Sequence, residues 1–195
     1  NSFNGADAVY LMIPPKWDPA DWLVHMQGIA DNYISAIKSS AVKKVVVLSS
    51  VGAHMGKGAG PVDGLAYLES KINELPGVDA VYLRPSYFYY NLFSMIPMIK
   101  NAGIMGSNQP ATHKLVLTHT QDIADAATAQ LLNPSFSGKK VLYIGSDART
   151  LNEITSVLRK AIGKENIPWV EFTDQQQLDG MLQAGLNPAI AKGYT

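Results

Sequence analysis

The run Val45-Val46-Val47-Leu48 constrains this chain more than any other feature. Four consecutive apolar residues, three of them β-branched, leave no polar side to turn toward water. Such a strand is covered on both faces, as in the centre of a parallel sheet. Two further runs accompany it: Ala8-Val9-Tyr10-Leu11-Met12-Ile13, stopped by Pro14-Pro15, and Val78 to Leu83. The segments between them have helical spacing. Leu23, Met26, Ile29, Tyr33 and Ile37 form one apolar face from about 19 to 39. Asp18-Pro19 reads as its start, with Asp as N-cap, Pro in the first turn and Asp21 near the positive end of the dipole. Leu65, Leu68, Ile72 and Leu75 mark a second helix, from about Gly64 to Leu75. The alternation of strands and helices predicts an α/β fold, a three-layer sandwich around an open parallel sheet with right-handed crossovers. With Val141 to Ile144 as a fourth strand, the predicted parallel order is 8–13, 44–48, 78–83, 141–144.

The rest of the chain reads as a small lobe and its connections. Tyr87 to Asn101 is aromatic-rich, helical after Asn91 and bent at Pro97. Leu115 to Leu117 reads as a short strand, and Thr120 as the cap of a helix with Ile123, Ala127 and Leu131 inward. Thr150-Leu151-Asn152-Glu153 is a capping box, and Gly163 stops the helix it opens. Ile167 to Phe172 is an edge strand, demoted by Pro168, and Gln175 to Gln183 a short helix. The expectation is one domain over 1–195, with a sheet core at 1–85 and 115–146 and a small lobe at 86–114 and 147–195.

Composition narrows the function classes. Sixteen Lys and Arg balance 16 Asp and Glu, so no basic stripe favours nucleic acid. There is no Cys, and the 4 His lie in no HxxxH or HExxH arrangement, so no metal site is expected. No apolar run approaches the ~18 residues of a membrane span. The first residues carry no basic n-region followed by an apolar core and cleavage site, which predicts a cytoplasmic protein. The charged fraction, 16%, is below the roughly 25% usual for soluble domains. Zero net charge also weakens repulsion between copies.

Ligand sites in open α/β sheets lie at the carboxyl ends of the strands. Ile13-Pro14-Pro15, Ser49-Ser50-Val51-Gly52, Arg84-Pro85-Ser86-Tyr87 and the loop before Thr120 meet that condition. Small hydroxyls there suit a ribose or phosphate, and two prolines a flat wall; ordinary strand-end loops are the alternative. Tyr67 and Lys71, four apart on one helix face, are the candidate catalytic pair, since a Tyr beside an ammonium suits acid chemistry. A partly exposed Tyr on an amphipathic helix explains the same spacing. Glu69 between them reads as solvated, and His54 and His113 as solvated loop residues. Gly52, Gly56, Gly58 and Gly60 lead into Pro61-Val62 and do not spell a GxGxxG fingerprint. The aromatic run Tyr87-Phe88-Tyr89-Tyr90 reads as lobe packing or as a pocket wall.

Taken together, Gly5-Ala6-Asp7-Ala8-Val9 leading to Pro14-Pro15, Asn32 before Val42-Lys43-Lys44-Val45, Leu48-Ser49-Ser50, Tyr67-Leu68-Glu69-Ser70-Lys71-Ile72-Asn73, Leu83 to Asn91, Asp122-Ile123-Ala124 and Gly163 give a chain that resembles the NmrA-like family of atypical short-chain dehydrogenases/reductases. The resemblance runs over nearly all of 1–195. It implies a Rossmann domain binding NAD or NADP, a lobe closing over the nicotinamide side, and oxidoreductase or redox-sensor activity. Residues matching Pro14, Pro15, Ser49, Ser50, Arg84, Pro85, Ser86 and Phe88 would surround the cofactor. The Tyr/Lys pair is often changed in this family, so Tyr67 and Lys71 gain no role from it. Family members begin with a Gly-rich turn and two further strands, whereas this chain resembles them from the fourth strand onward and ends short of their usual C-terminus. Two expectations follow. Dinucleotide binding is weak, because the dipole-assisted phosphate site is missing. The alternative function is a non-catalytic, truncated module acting through homo-oligomerisation or protein binding. It would form a homodimer or larger assembly across the 8–13 edge, a segment with no charge, internal Pro or Gly.

Overall fold

The structure, a computed structural model, describes residues 3–16 and 21–195. Strands β1 (Ala8–Leu11), β2 (Lys44–Leu48) and β3 (Asp79–Pro85) are joined by helices α1 (Trp22–Lys38) and α2 (Asp63–Asn73). With β7 (Lys139–Ile144) they form one sheet in the order β1-β2-β3-β7, every pair parallel, as the sequence predicts. The Val45–Val47 run is fully buried. Val45 is flanked by Val9 and Ala80, and Val47 by Leu11 and Tyr82. These side chains meet Ala30, Ile34 and Ile37 of α1 and Leu68 and Ile72 of α2. Val46, Val81 and Leu83 point to the other face, where α4 (Thr120–Leu132) and Phe136 cover them. Period-2 alternation thus delivers one strand set to two helical layers.

The amino ends of the strands are tied by charge. The Lys44 ammonium donates to Asp79 at 2.9 Å and to the Phe136 carbonyl. Asp79 also accepts from the Gly138 N–H at 2.7 Å. Lys44, then Gly138, hold the Asp79 carboxyl below the usual carboxylate range.

Several local expectations are corrected. The Asp18-Pro19 helix start lies outside the described residues; the N-cap of α1 is Asp21, which accepts from the Val24 N–H at 3.0 Å. The segment is helical past Asn91, as read from sequence, but begins as a 3₁₀ helix at Tyr89–Met95. Pro97 does not bend a helix but sits in the first turn of α3 (Ile96–Ala102), where its missing N–H interrupts no bond. His119, not Thr120, caps α4: its backbone is extended and its Nδ1 accepts from the Gln121 N–H at 3.1 Å. The 49–60 segment is not all loop, since 3₁₀ turns form at Ala53–Met55 and Gly60–Val62.

The lobe has two small sheets. The strand at Leu115–Leu117 is present as β6 (Lys114–Thr118), which pairs with β4 (Tyr87–Phe88) and antiparallel with β8 (Asp147–Thr150). The predicted Ile167–Phe172 edge strand is β9 (Trp169–Glu171), paired with β5 (Met105–Ser107). Pro168 lies just before it, its carbonyl accepting from the Met105 N–H at 3.0 Å. The capping box opens α5 (Leu151–Ala161) as read from sequence, and Thr173 with Gln176 forms a second one on α6 (Asp174–Gln183). The chain closes with α7 (Pro188–Gly193), burying Ile190 and Ala191. It lies against Gly60 so closely that a Cβ there would stand 1.9 Å from the Gly193 carbonyl oxygen.

Candidate functional site

The carboxyl ends of β1, β2 and β3 lie level, as their register requires. What gathers there differs from the groove the sequence suggests. Ser49 is 3% exposed, and its hydroxyl donates to Glu69 Oε1 at 2.5 Å. Arg84, 7% exposed, holds the same carboxylate by two bonds, Nε to Oε1 at 3.0 Å and Nη2 to Oε2 at 2.6 Å. Its third nitrogen donates to the Tyr143 oxygen at 3.2 Å. Glu69 foremost holds the Arg84 guanidinium above its ordinary range. Glu69 is therefore not solvated: at 5% exposure it is the acceptor that organises the site. The signal for this was present in the sequence. Arg84 shares a strand face with Ala80 and Tyr82, and Glu69 sits three residues before the buried Ile72 on the helix covering that face. An inward Arg requires an inward acid.

Ser49 and Arg84 thus turn their polar atoms inward, and Pro85 is fully buried within β3. Pro14 and Pro15 border a narrow cleft of about 160 Å³ against Pro61, Ile190 and Tyr194. Phe88 borders a different, apolar cleft of about 420 Å³, between Tyr10, Leu48 and the inner face of α4. Ser50 and Ser86 are half-buried, with hydroxyls clear of the Glu69 network. The sequence-derived set is therefore divided among a buried core and two clefts.

Tyr67 and Lys71 do share a face, with the ammonium 5.6 Å from the ring centre. They sit in the seam between α1 and α2, where the Tyr67 hydroxyl donates to Asp31 at 2.9 Å and Lys71 reaches Glu74 at 3.2 Å. The bond to Asp31 raises the Tyr67 pKa and outweighs the lowering by Lys71. This is the opposite of the poise a Tyr acid needs. The glycine loop is also engaged: the Gly58 and Ala59 N–H groups donate to the Asp63 carboxylate at 3.1 and 2.9 Å, the position a phosphate would need.

A cleft of about 560 Å³, larger than the two above, lies in the lobe. Tyr87, Leu115, Leu151 and Trp169 line it, together with Gln177 and Met181 of α6 and Tyr194 near the C-terminus. The aromatic run is thereby split: Tyr87 lines this cleft, Phe88 the apolar one, Tyr89 packs the lobe and Tyr90 is exposed. Lobe and sheet are fastened by residues that sequence reading passed over. The fully buried Thr118 hydroxyl accepts from the Ser86 N–H at 3.1 Å and donates to the Ile144 carbonyl at 2.9 Å. The Ser146 hydroxyl donates to Asp122 and accepts from the His119 N–H at 2.8 Å.

Comparison with known proteins places this geometry. The sequence profile of the NmrA-like family matches residues 1–173. Prestalk A differentiation protein A of Dictyostelium discoideum is 24% identical over 192 residues, covering 97% of this chain and 58% of that protein. A nucleoside-diphosphate-sugar epimerase from Staphylococcus aureus superposes with a TM-score of 0.78 at 18% identity, over 99% of this chain and 66% of that one. An NADPH-dependent quinone oxidoreductase from Escherichia coli, solved with NADPH, also gives 0.78 at 18% identity, over 98% and 64%. The chain thus spans less than two thirds of the length of these proteins, and the likeness shows a shared fold.

Proposed function

The chain belongs to the NmrA-like family, and from that premise we propose that it is the nicotinamide-side part of an NAD(P)H-dependent oxidoreductase. One observation carries the reading: the level carboxyl ends of β1, β2 and β3 leave Pro14, Ser50 and Ser86 at the same end of the sheet, beside a lobe with a ligand-sized cleft. Prolines and free hydroxyls fit a nicotinamide riboside. Bound NAD(P)H would supply a hydride. The chain's own part is to flank the ring, bond the ribose and exclude water through the lobe. Ser49 and Arg84 act beneath this surface, holding the strand ends in place through Glu69. Tyr67, engaged by Asp31, is outside the reaction path.

The phosphate half of a dinucleotide fits less well, since Asp63 occupies the loop amides. Charge-assisted phosphate bonds are worth roughly 1.5–3 kcal/mol each. Isothermal titration of this chain with NADPH and NADH should give saturable binding weaker than about 10 μM. The absence of any saturable heat would overturn the nucleotide reading. A dissociation constant below about 10 μM would overturn the account of the phosphate half.

A second reading rests on the free edge of β1. Tyr10 and Met12 are 40% and 42% exposed beside the apolar cleft on the α4 face. Two copies pairing β1 antiparallel about a twofold axis would close that edge and cover both residues. In this reading the chain is a non-catalytic module acting through self-association. Sedimentation equilibrium should then give twice the 21.1 kDa chain mass. A single species at 21.1 kDa would end it.

A further inference from the structure

The lobe cleft has a chemical character of its own. Among the described residues none of its lining side chains is Asp, Glu, Lys or Arg, and His113 is the one imidazole in the lining. Tyr87, Trp169 and Tyr194 give the lining flat aromatic surfaces, and Leu115 and Leu151 give it aliphatic ones. The polar groups are neutral amides and hydroxyls, among them Asn91 and Gln177. The walls are also fixed. Trp169 Nε1 donates to the Gln109 carbonyl at 3.0 Å, which sets the indole plane. Asn108 donates to Asp174 at 2.9 Å, tying the first turn of α6 to the strand beneath it. Gln177 and Met181, one turn apart on α6, therefore line the cleft side by side.

We propose that this cleft binds an uncharged, flat, mostly apolar molecule with one or two hydrogen-bonding groups, and that it rejects anions such as nucleoside diphosphates. The proposal rests on the oxidoreductase reading only for calling this molecule a substrate. Flatness follows from the aromatic walls, which stack on planar rings. A volume of about 560 Å³ suits a two- or three-ring molecule. Neutrality follows from the lining. A diphosphate needs Arg, Lys or a set of N–H donors, and burying it without them costs several kcal/mol. The same penalty, smaller, applies to a single sulfonate.

A matched pair of fluorescent probes tests this without any cofactor. N-phenyl-1-naphthylamine and 1-anilinonaphthalene-8-sulfonate share one ring skeleton and differ by the sulfonate. The native chain should bind the neutral probe at least about tenfold more tightly than the anionic one, and UDP-glucose should not displace it. Gln177→Lys places an ammonium in the cleft lining. It should tighten the sulfonate about tenfold and weaken the neutral probe. Met181→Lys, one turn on, should do the same and serves if the first variant does not fold, as judged by circular dichroism. Equal affinity for the two probes, displacement by UDP-glucose, or folded Lys variants with unchanged sulfonate binding would each overturn the proposal. Failure of the NAD(P)H titration leaves these outcomes unaffected, so the two readings fail separately.

Discussion

Glu69→Ala should destabilise the fold by about 3–5 kcal/mol, the range for removing one member of a buried ion pair. The carboxylate accepts three bonds, from the Ser49 hydroxyl and two Arg84 nitrogens, at 5% exposure. Without it the guanidinium stays charged, because no accessible pH deprotonates Arg. It is then left under α2 with only Tyr143 as partner. Glu69→Gln keeps the shape and one acceptor and should fall between. Replacing both partners with apolar residues, as in Glu69→Leu with Arg84→Met, should recover most of the loss, since the pair's desolvation disappears together with its attraction. Urea denaturation midpoints at constant slope read all four proteins. A loss under about 1 kcal/mol for Glu69→Ala would mean that water reaches Arg84 and that the pair is a surface feature.

Gly60→Ala should cost about 2.5–5 kcal/mol. Two terms add. The backbone at Gly60 has φ +56°, where a side chain costs about 1–2 kcal/mol. The new Cβ would also stand 1.9 Å from the Gly193 carbonyl oxygen, a backbone atom that no rotamer change can move. α7 must then lift away, exposing Ile190, whose burial is worth about 1.5–3 kcal/mol. Hydrogen exchange separates the terms. The Ala191 and Tyr194 amides, bonded to Asn187 and Ala191, should lose protection while the β1–β3 amides keep theirs. Protected α7 amides in a folded Gly60→Ala protein would show that the close approach is relieved elsewhere.

The sequence revealed those parts of the fold that repeat. Val45–Val47 announced a strand covered twice, three further runs supplied its neighbours, and Thr150 with Glu153 marked a helix start to the residue. Elements of two to four residues, such as β4, β5 and β8, carry too little pattern to show a period. The site was less legible because its polar residues act across elements. Ser49, Glu69 and Arg84 look like three unrelated strand-end and helix residues until sheet register and helix phase are combined. Thr118 and Ser146, which fasten the lobe, are invisible to periodicity, since one hydroxyl in a turn resembles any other. Pro97 and Thr120 were misplaced by a single turn or residue, because a proline or a threonine suits either side of a helix boundary.

The pairing of β3 with β7 sets an order on biosynthesis. β1, β2 and β3 are joined by short crossovers, so a growing chain can assemble them from near neighbours. The partner of β3 on its far side is β7, and the whole of 86–138 is made in between. α4, which shields Val46, Val81 and Leu83, also belongs to that later stretch. At about 5–20 residues per second, the interval from residue 85 to residue 144 lasts roughly 3–12 s. Throughout it the nascent sheet presents an apolar face and a hydrogen-bonding edge to solvent or to a chaperone. Codon usage or chaperone supply over 86–138 therefore bears on the yield of folded protein.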